Sequence, residues 1–277
     1  MVMELKKITD WLDKTLNVAG FDDVSNNGLQ VDQLSASEIR QSADQQISTL
    51  KSNNRAIEQS NNRTISTVAF AVDASVRAVE AAAKAGAQLL VVHHGISWGG
   101  GVKRVAGGVG RVIRAAIGNN LALYACHLPL DAHPTLGNNA QLAKLLGLRC
   151  VKPAFDYHGN VIGLVGVLER LEALESLVSP EQLDKIEGLA APLTLGICSG
   201  GAGEFAEEAK NLGCDLYLTG EASWGDVIAA ENCGMRMLCL GHYETEVWGV
   251  RAVAAAMKKA LKVRTVDLTE TLWPTKG

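Results

Sequence analysis

LLVVHHGISWGG, residues Leu89 to Gly100, is the stretch whose reading decides the fold. Four apolar residues bounded by turn formers read as a buried strand, and that strand stops at His93, His94 and a glycine. The preceding residues supply its partners: STVAFAVDA (Ser66 to Ala74) reads as a strand and VRAVEAAAKAG (Val76 to Gly86) as a helix ending at glycine. Strands alternating with helices of about ten residues mean βαβ units and a mainly parallel sheet. In such sheets ligands bind at the carboxyl ends of the strands, which is where the two histidines fall. A structural pair, one ring packed and one solvated, is the competing reading of these two residues alone.

Working outward, the pattern continues. Met3 to Val18 carries Leu5, Ile8, Trp11, Leu12 and Leu16 at helical spacing, and NNGLQV (Asn26 to Val31) reads as a turn into a short extended piece. Asp32 to Arg63 shifts to Ser, Gln and Asn, the composition of a linker or solvated insert, with a polar surface helix through Leu34, Ile39, Ala43, Ile47 and Leu50 as a further reading. Gly99 to Gly110 reads as a glycine-rich loop before the helix RVIRAAIG, and Leu121 to Asp131 as a strand. Helices are expected at Gly137 to Gly147, Glu169 to Leu189 (interrupted near Pro180), Glu204 to Gly213, Ala222 to Asn232 and Thr245 to Leu261. Strands are expected at Asn160 to Leu168, Leu193 to Cys198, Asp215 to Thr219, Met235 to Leu240 and Arg264 to Leu268.

The chain reads as an internal duplication. Its first half runs strand, helix to Gly86, strand, His93-His94, Ser97-Trp98-Gly99, strand, then His127 and Asp131. Its second half runs strand, helix to Gly213, strand, Glu221, Ser223-Trp224-Gly225, strand, then His242 and Glu246. The fold class is therefore α/β with two similar domains and mainly parallel or mixed sheets. Residues 1–127 with 245–277 are expected to form the first domain, 32–63 being its polar insert or linker, and residues 128–244 the second.

The 277 residues are 47% hydrophobic and 20% charged, ordinary for a soluble protein. A formal charge of −4 and a pI near 5.9 offer no basic field for a nucleic-acid backbone. The N-terminal helix lacks the apolar core and cleavage site of a signal peptide, and no apolar run reaches membrane-spanning length. The six cysteines lack paired zinc spacing and read as buried reduced thiols, which places the protein in the cytoplasm.

Each half thus delivers an imidazole and a carboxylate from a sheet edge, and the first adds His93 and His94. Such donors suit zinc, iron, manganese, cobalt or nickel; they oversupply one ion and fit two, with a carboxylate bridging and a water activated for hydrolysis. On a straight strand, residues four apart stand about 13 Å apart, so each His-x-x-x-Asp/Glu pair needs a break between its members, which Pro129 makes plausible in the first. Read singly, His127 and His242 are hydrogen-bonded strand-end residues and Asp131 and Glu246 helix-start carboxylates; four such features at matched positions favour the site.

The residues NNGLQV, VVHHG, HLPLD followed by GNN (Asn138, Asn139), LTGE (Glu221) and GHYETE, in this order from Asn26 to Glu246, resemble the NIF-three-like proteins, also called GTP cyclohydrolase I type 2 homologues. The resemblance implies two similar α/β domains with a dinuclear metal centre at their interface, a ring-shaped homohexamer, and metal ligands at His93, His94, Asp131, His242 and Glu246, with Glu246 the bridge. His127 lies beside them as a further ligand, an outer-shell partner or a catalytic proton shuttle. The long polar stretch after NNGLQV departs from the family pattern.

The function read from this is a cytosolic metal-dependent hydrolase acting on a small-molecule substrate, a nucleotide or heterocycle. A non-catalytic metal-binding, metal-delivery or regulatory scaffold is the alternative. GGAGEFA, in which Gly201, Gly203 and Ala206 fit G-x-G-x-x-A with Glu221 beyond, supports a lesser dinucleotide-binding alternative. Trp98 and Trp224 read as packing or subunit contacts, or as platforms for a purine or pterin ring. Asp73 reads as a helix cap or a polar cavity wall.

Overall fold

The computed structural model describes residues 2–33 and 64–272; the polar insert, with the surface helix read there, lies outside the described residues beyond Gln33. The chain divides into two compact units, one of Met1–His127 with Val253–Gly277 and one of Leu128–Ala252.

The first unit is built on a five-stranded sheet. Its strands are β1 (Gly28–Val31), β2 (Thr67–Asp73), β3 (Leu89–His94), β4 (Ala122–Ala125) and β5 (Arg264–Asp267), in the order β5-β2-β3-β4-β1. All pairings are parallel except that of β1, which runs antiparallel along β4. Strand β2 is buried at every position but its last, as a sheet covered on both faces requires. One face packs Ala69, Ala71, Leu90, Val92 and Leu123 against α2 (Val76–Lys84) and α3 (Gly107–Gly118) through Ala78, Val79, Ala82, Val112 and Ala116. Ser75 caps α2 by accepting the Ala78 N–H. On the opposite face the Tyr124 hydroxyl donates to Asp13 (2.6 Å) on α1 (Leu5–Leu16), whose buried stripe is Leu5, Ile8, Leu12 and Leu16.

The second unit has β6 (Arg149–Tyr157), β7 (Asn160–Leu168), β8 (Leu193–Cys198), β9 (Leu216–Thr219) and β10 (Met237–Cys239), in the order β10-β9-β8-β7-β6. Strands β8, β9 and β10 are parallel, while β6 and β7 pair as an antiparallel hairpin beside them. Strand β6 has no counterpart in the sequence reading. It is an edge strand with Lys152 and Pro153, residues that blunt an exposed edge and break the alternation by which strands are recognised. Leu142, Leu168, Leu195, Leu216 and Leu238 form the core of one face. On the other, Phe155 stacks near Phe205 and Tyr217 (5.7 and 5.2 Å between ring centroids) and lies over Gly196 and Gly163, where a Cβ would meet its ring.

Both units share a β-α-β-α-β core of three adjacent parallel strands, β2-β3-β4 and β8-β9-β10. The flanks differ, and so do the two Ser-Trp-Gly triplets. Trp98 lies in a loop well before α3, whereas Trp224 opens the helix Trp224–Cys233, capped by Ser223. Four further expectations need correction. The strand read as Leu121 to Asp131 ends at Ala125 and turns into a short helix, Leu128–Ala132, whose second residue is Pro129. The helix read from Arg111 starts at Gly107, and the helix read from Thr245 starts at His242, running to Leu261. Cys150 is exposed rather than buried.

Candidate metal centre

In the first unit, three imidazoles meet at the carboxyl edge of the sheet. His93 and His94 end β3, and His127 follows β4, so parallel neighbours deliver all three to one edge. Ring centroids lie 4.5 Å apart for His93 and His94, 5.2 Å for His93 and His127, and 5.7 Å for His94 and His127. One ligating nitrogen from each falls within 4.8 Å of the others, a group that could hold a metal ion.

Each ring is fixed from behind. His93, fully buried, sets Nδ1 against the Cys126 carbonyl at 2.9 Å. His94 sets Nδ1 against Asp73 Oδ1 at 2.8 Å. That contact follows from register: Asp73 and His94 are partners at the ends of β2 and β3, so their side chains leave the sheet on one face. Asp73 is therefore neither the cap of α2, a role Ser75 takes, nor an idle cavity wall. His127 sets Nδ1 against Asp23 Oδ1 at 2.9 Å, and that carboxylate is itself buried.

The N-terminal NNGLQ segment builds this corner. Asn27 accepts the His127 backbone N–H through Oδ1 (2.8 Å) and donates through Nδ2 to Asp23 Oδ2 (2.8 Å). Gln30 accepts the Ile96 N–H (2.7 Å), and Asn26 donates to the Ser97 hydroxyl (2.8 Å), which anchors the loop after His94. Gly95 is obligatory beside them, since a Cβ there would overlap Gln30 Oε1 and the Ala125 methyl. Burial pushes the Asp23 carboxyl up, but the hydrogen bond and charge of His127, with the Ser25 N–H and Asn27, hold it below its ordinary value. Asp23 was not singled out by the sequence reading, and Asn27 and Gln30 entered it only as part of NNGLQV, without a role; isolated polar side chains here carry no periodic signal.

In the second unit, His242 and Glu246 sit four apart on one helix and therefore on one face, with Nε2 and Oε1 3.2 Å apart. The break expected between them is replaced by helical spacing, which brings the pair together more closely than a strand end could. His242 sets Nδ1 against Glu221 Oε1 at 2.9 Å. This engages the acid that the dinucleotide reading reserved for a ribose. Of its glycines, Gly203 is explained locally, since a Cβ there would strike Ala222 and Asp226, and the helix after it spans only Ala206–Asn211. Gly200, at φ +70°, leaves room for the donors, since a Cβ there would collide with Glu246 Oε1 and stand 3.3 Å from His242 Nε2.

Asp131, buried on the short helix after His127, accepts from Asn138 Nδ2 (2.8 Å) and the Ser199 hydroxyl (3.0 Å) at Oδ1. Asn138 in turn accepts the Gly249 N–H (2.8 Å), and Asn139 accepts the Ser199 N–H (2.8 Å) while donating to the Ile162 carbonyl (2.8 Å). The GNN motif thus holds a carboxylate in place. Thr245, wholly buried, accepts the Gly200 N–H (3.0 Å) and ties the glycine turn to the helix carrying His242 and Glu246.

Among the described residues no helix is long and apolar enough to cross a membrane. The family described as Duf34/NIF3 (NGG1p interacting factor 3) matches residues 51–272. A Pyrococcus horikoshii protein named GTP cyclohydrolase 1 type 2 homolog is 34% identical over 272 residues, 95% of this chain and 97% of its own. A Deinococcus radiodurans protein of the same name is 35% identical over 265 residues, 91% of this chain and 88% of its own. Among solved structures, TTHA1606 from Thermus thermophilus is 27% identical with a TM-score of 0.73, covering 99% of this chain and 100% of that one. Protein ybgI, described as of unknown function, is 25% identical with a TM-score of 0.77 and the same coverage. With a family match over most of its length and relatives a third identical across nearly all of it, the chain belongs to the DUF34/NIF3 family.

Proposed function

We propose that this protein is a metal-dependent hydrolase of a nucleotide or related heterocycle. Two divalent ions would be held by donors drawn from His93, His94, Asp131, His242 and Glu246. One observation carries the reading. His93, His94, His127 and His242 each set Nδ1 against a carbonyl or carboxylate oxygen, which can only accept, so Nδ1 carries a proton and, in the neutral ring, Nε2 keeps its lone pair. That arrangement orients metal-ligating histidines and raises their basicity.

The donor set fits the group: imidazole nitrogens with carboxylate oxygens suit borderline first-row ions. Ions held there supply Lewis acidity and hydroxide at neutral pH. The chain's own residues do the rest. Asp73 and Glu221 fix the rings of His94 and His242, and Asn138 and Ser199 fix the Asp131 carboxylate. His127 takes and returns a proton at Nε2, its ring held in place by the Asp23 carboxylate behind Nδ1. The name shared by the relatives, GTP cyclohydrolase 1 type 2 homolog, supports the heterocycle class.

The test is elemental analysis of wild type beside Asp131→Ala and Glu246→Ala. Near two transition-metal ions per chain, lost in both variants, is the expected result, followed by turnover in a screen of nucleotides and phosphoesters. Protein that stays metal-free after incubation with zinc, manganese or iron refutes the reading. A loaded protein that consumes none of the substrates is a metal-binding scaffold. Sedimentation of the same preparation reads the homohexamer that the resemblance implies.

A further inference from the structure

The loop after His94 carries an aromatic side chain in an unusual situation. Trp98 is 38% exposed, although burying an indole is among the largest stabilisations a side chain can give. It is nonetheless held at both ends. Its Nε1 donates to the Gly95 carbonyl (3.0 Å), and its backbone forms a β-bridge with Ser25, flanked by Asn26 N–H to Ser97 O (3.0 Å) and Gly99 N–H to Val24 O (2.6 Å). The indole stands edge-on to His127, with centroids 5.1 Å apart, and lies 6.2 Å from His94. A rigid, part-exposed ring at the rim of a three-imidazole cluster is a preorganised surface that pays no ordering cost when a ligand arrives. Gly99, Gly100 and Gly101 follow it, and a Cβ at Gly99 would meet nothing, so the approach beside the ring is open. The exposed Lys103 folds back over this turn, its Cε 3.7 Å from where a Cβ of Gly100 would stand.

We propose that Trp98 is a stacking platform for a planar heterocycle and that Lys103 meets a phosphate on the same ligand, so that the substrate class is a phosphorylated heterocyclic base. The proposal rests on the metal-hydrolase reading and names the substrate of that site. Stacking is indifferent to base identity, whereas a lysine acts on the phosphate as a point charge.

The test is calorimetric titration of the metal-loaded full chain with guanosine 5′-monophosphate, guanosine and ribose 5-phosphate, with metal content and sedimentation measured on every variant. Trp98→Ala should weaken both guanosine compounds by about 5- to 150-fold, leave ribose 5-phosphate and metal content unchanged, and be rescued by Trp98→Phe. Lys103→Ala should weaken the monophosphate about tenfold and leave guanosine as it was. Loaded wild type that binds no guanosine compound, or Trp98→Ala with unchanged affinity, overturns the platform while leaving the metal site standing. Loss of metal in Trp98→Ala makes the ring a support for the ligands and also overturns it. A changed sedimentation coefficient with unchanged binding makes Trp98 a subunit contact instead. Absence of metal from the wild type is a failure of the parent reading and is read separately from the same samples.

Discussion

On the proposed reading, Gly200→Ala should empty the candidate metal centre while leaving the fold nearly intact. The substitution adds one methyl group to a residue at φ +70°, a left-handed conformation that costs a residue with a Cβ about 1–2 kcal/mol. For a chain of this size that is a fall in Tm of about 2–8 °C in the metal-free protein. The steric consequence is larger and local. The new Cβ overlaps Glu246 Oε1, and the Glu246 side chain is only 3% exposed, so the carboxylate has no solvent to swing into. Any rotation that relieves the overlap turns Oε1 away from His242 Nε2, its neighbour at 3.2 Å. Losing a hydrogen-bond partner of a ligand costs about 10–100-fold in metal affinity, and displacing the ligand itself costs at least that. The assay is competition against a chromogenic chelator, with scanning calorimetry on chelated and loaded samples. Gly201→Ala is the control, since its Cβ would stand 3.4 Å from Glu221 Oε1, an ordinary contact at a glycine without positive φ. Gly200→Ala that retains wild-type stoichiometry and affinity would refute the assignment of Glu246.

Other outcomes follow from particular contacts. Gly249→Ala, inside the long helix, would ordinarily stabilise by about 1 kcal/mol; here its Cβ would crowd Asn138 Oδ1, so Tm should fall and metal content with it. Asp23→Asn removes an acceptor from the buried His127 network and should cost about 1–3 kcal/mol by urea unfolding at neutral pH. Because the Asp23 carboxyl is held below its ordinary value, its contribution is complete above roughly pH 4 and disappears as pH falls further, so the gap between wild type and variant should narrow toward pH 3. Burial pushes the Cys214 thiol up to about 11, leaving on the order of one part in a thousand as thiolate at pH 8. Iodoacetamide followed by mass spectrometry should therefore label the exposed Cys150 first and spare Cys214 and the fully buried Cys198.

Much of the candidate site was legible because its histidines sit where a periodic pattern stops. A run such as LLVV has one reading in an α/β chain, and the residue after it lies at the carboxyl edge whatever the rest of the protein does. His93, His94, His127 and His242 all follow apolar runs of this kind. The supporting residues are a different matter. Asp23, Asn27 and Ser199 stand outside regular elements and Asn138 at the start of the helix Asn138–Leu145, so their side chains point according to a few local dihedral angles, and Asp73 by its position alone reads as a helix cap or a cavity wall. The hairpin strand Arg149–Tyr157 was missed for a related reason, since an edge strand tolerates the Lys and Pro that hide its alternation.

The sequence by itself determined the α/β class, the repeated β-α-β-α-β core, the family and the donor types, because hydrophobic period and residue chemistry are local properties. Only the tertiary structure decided which nitrogen of each histidine is available. That choice depends on what stands behind the ring: Asp73 through the register of β2 against β3, Glu221 and Asp23 across loops, and the Cys126 carbonyl just past the end of β4. These partners lie between 21 and 104 residues from their histidines, and packing of the sheet is what brings them within 3 Å.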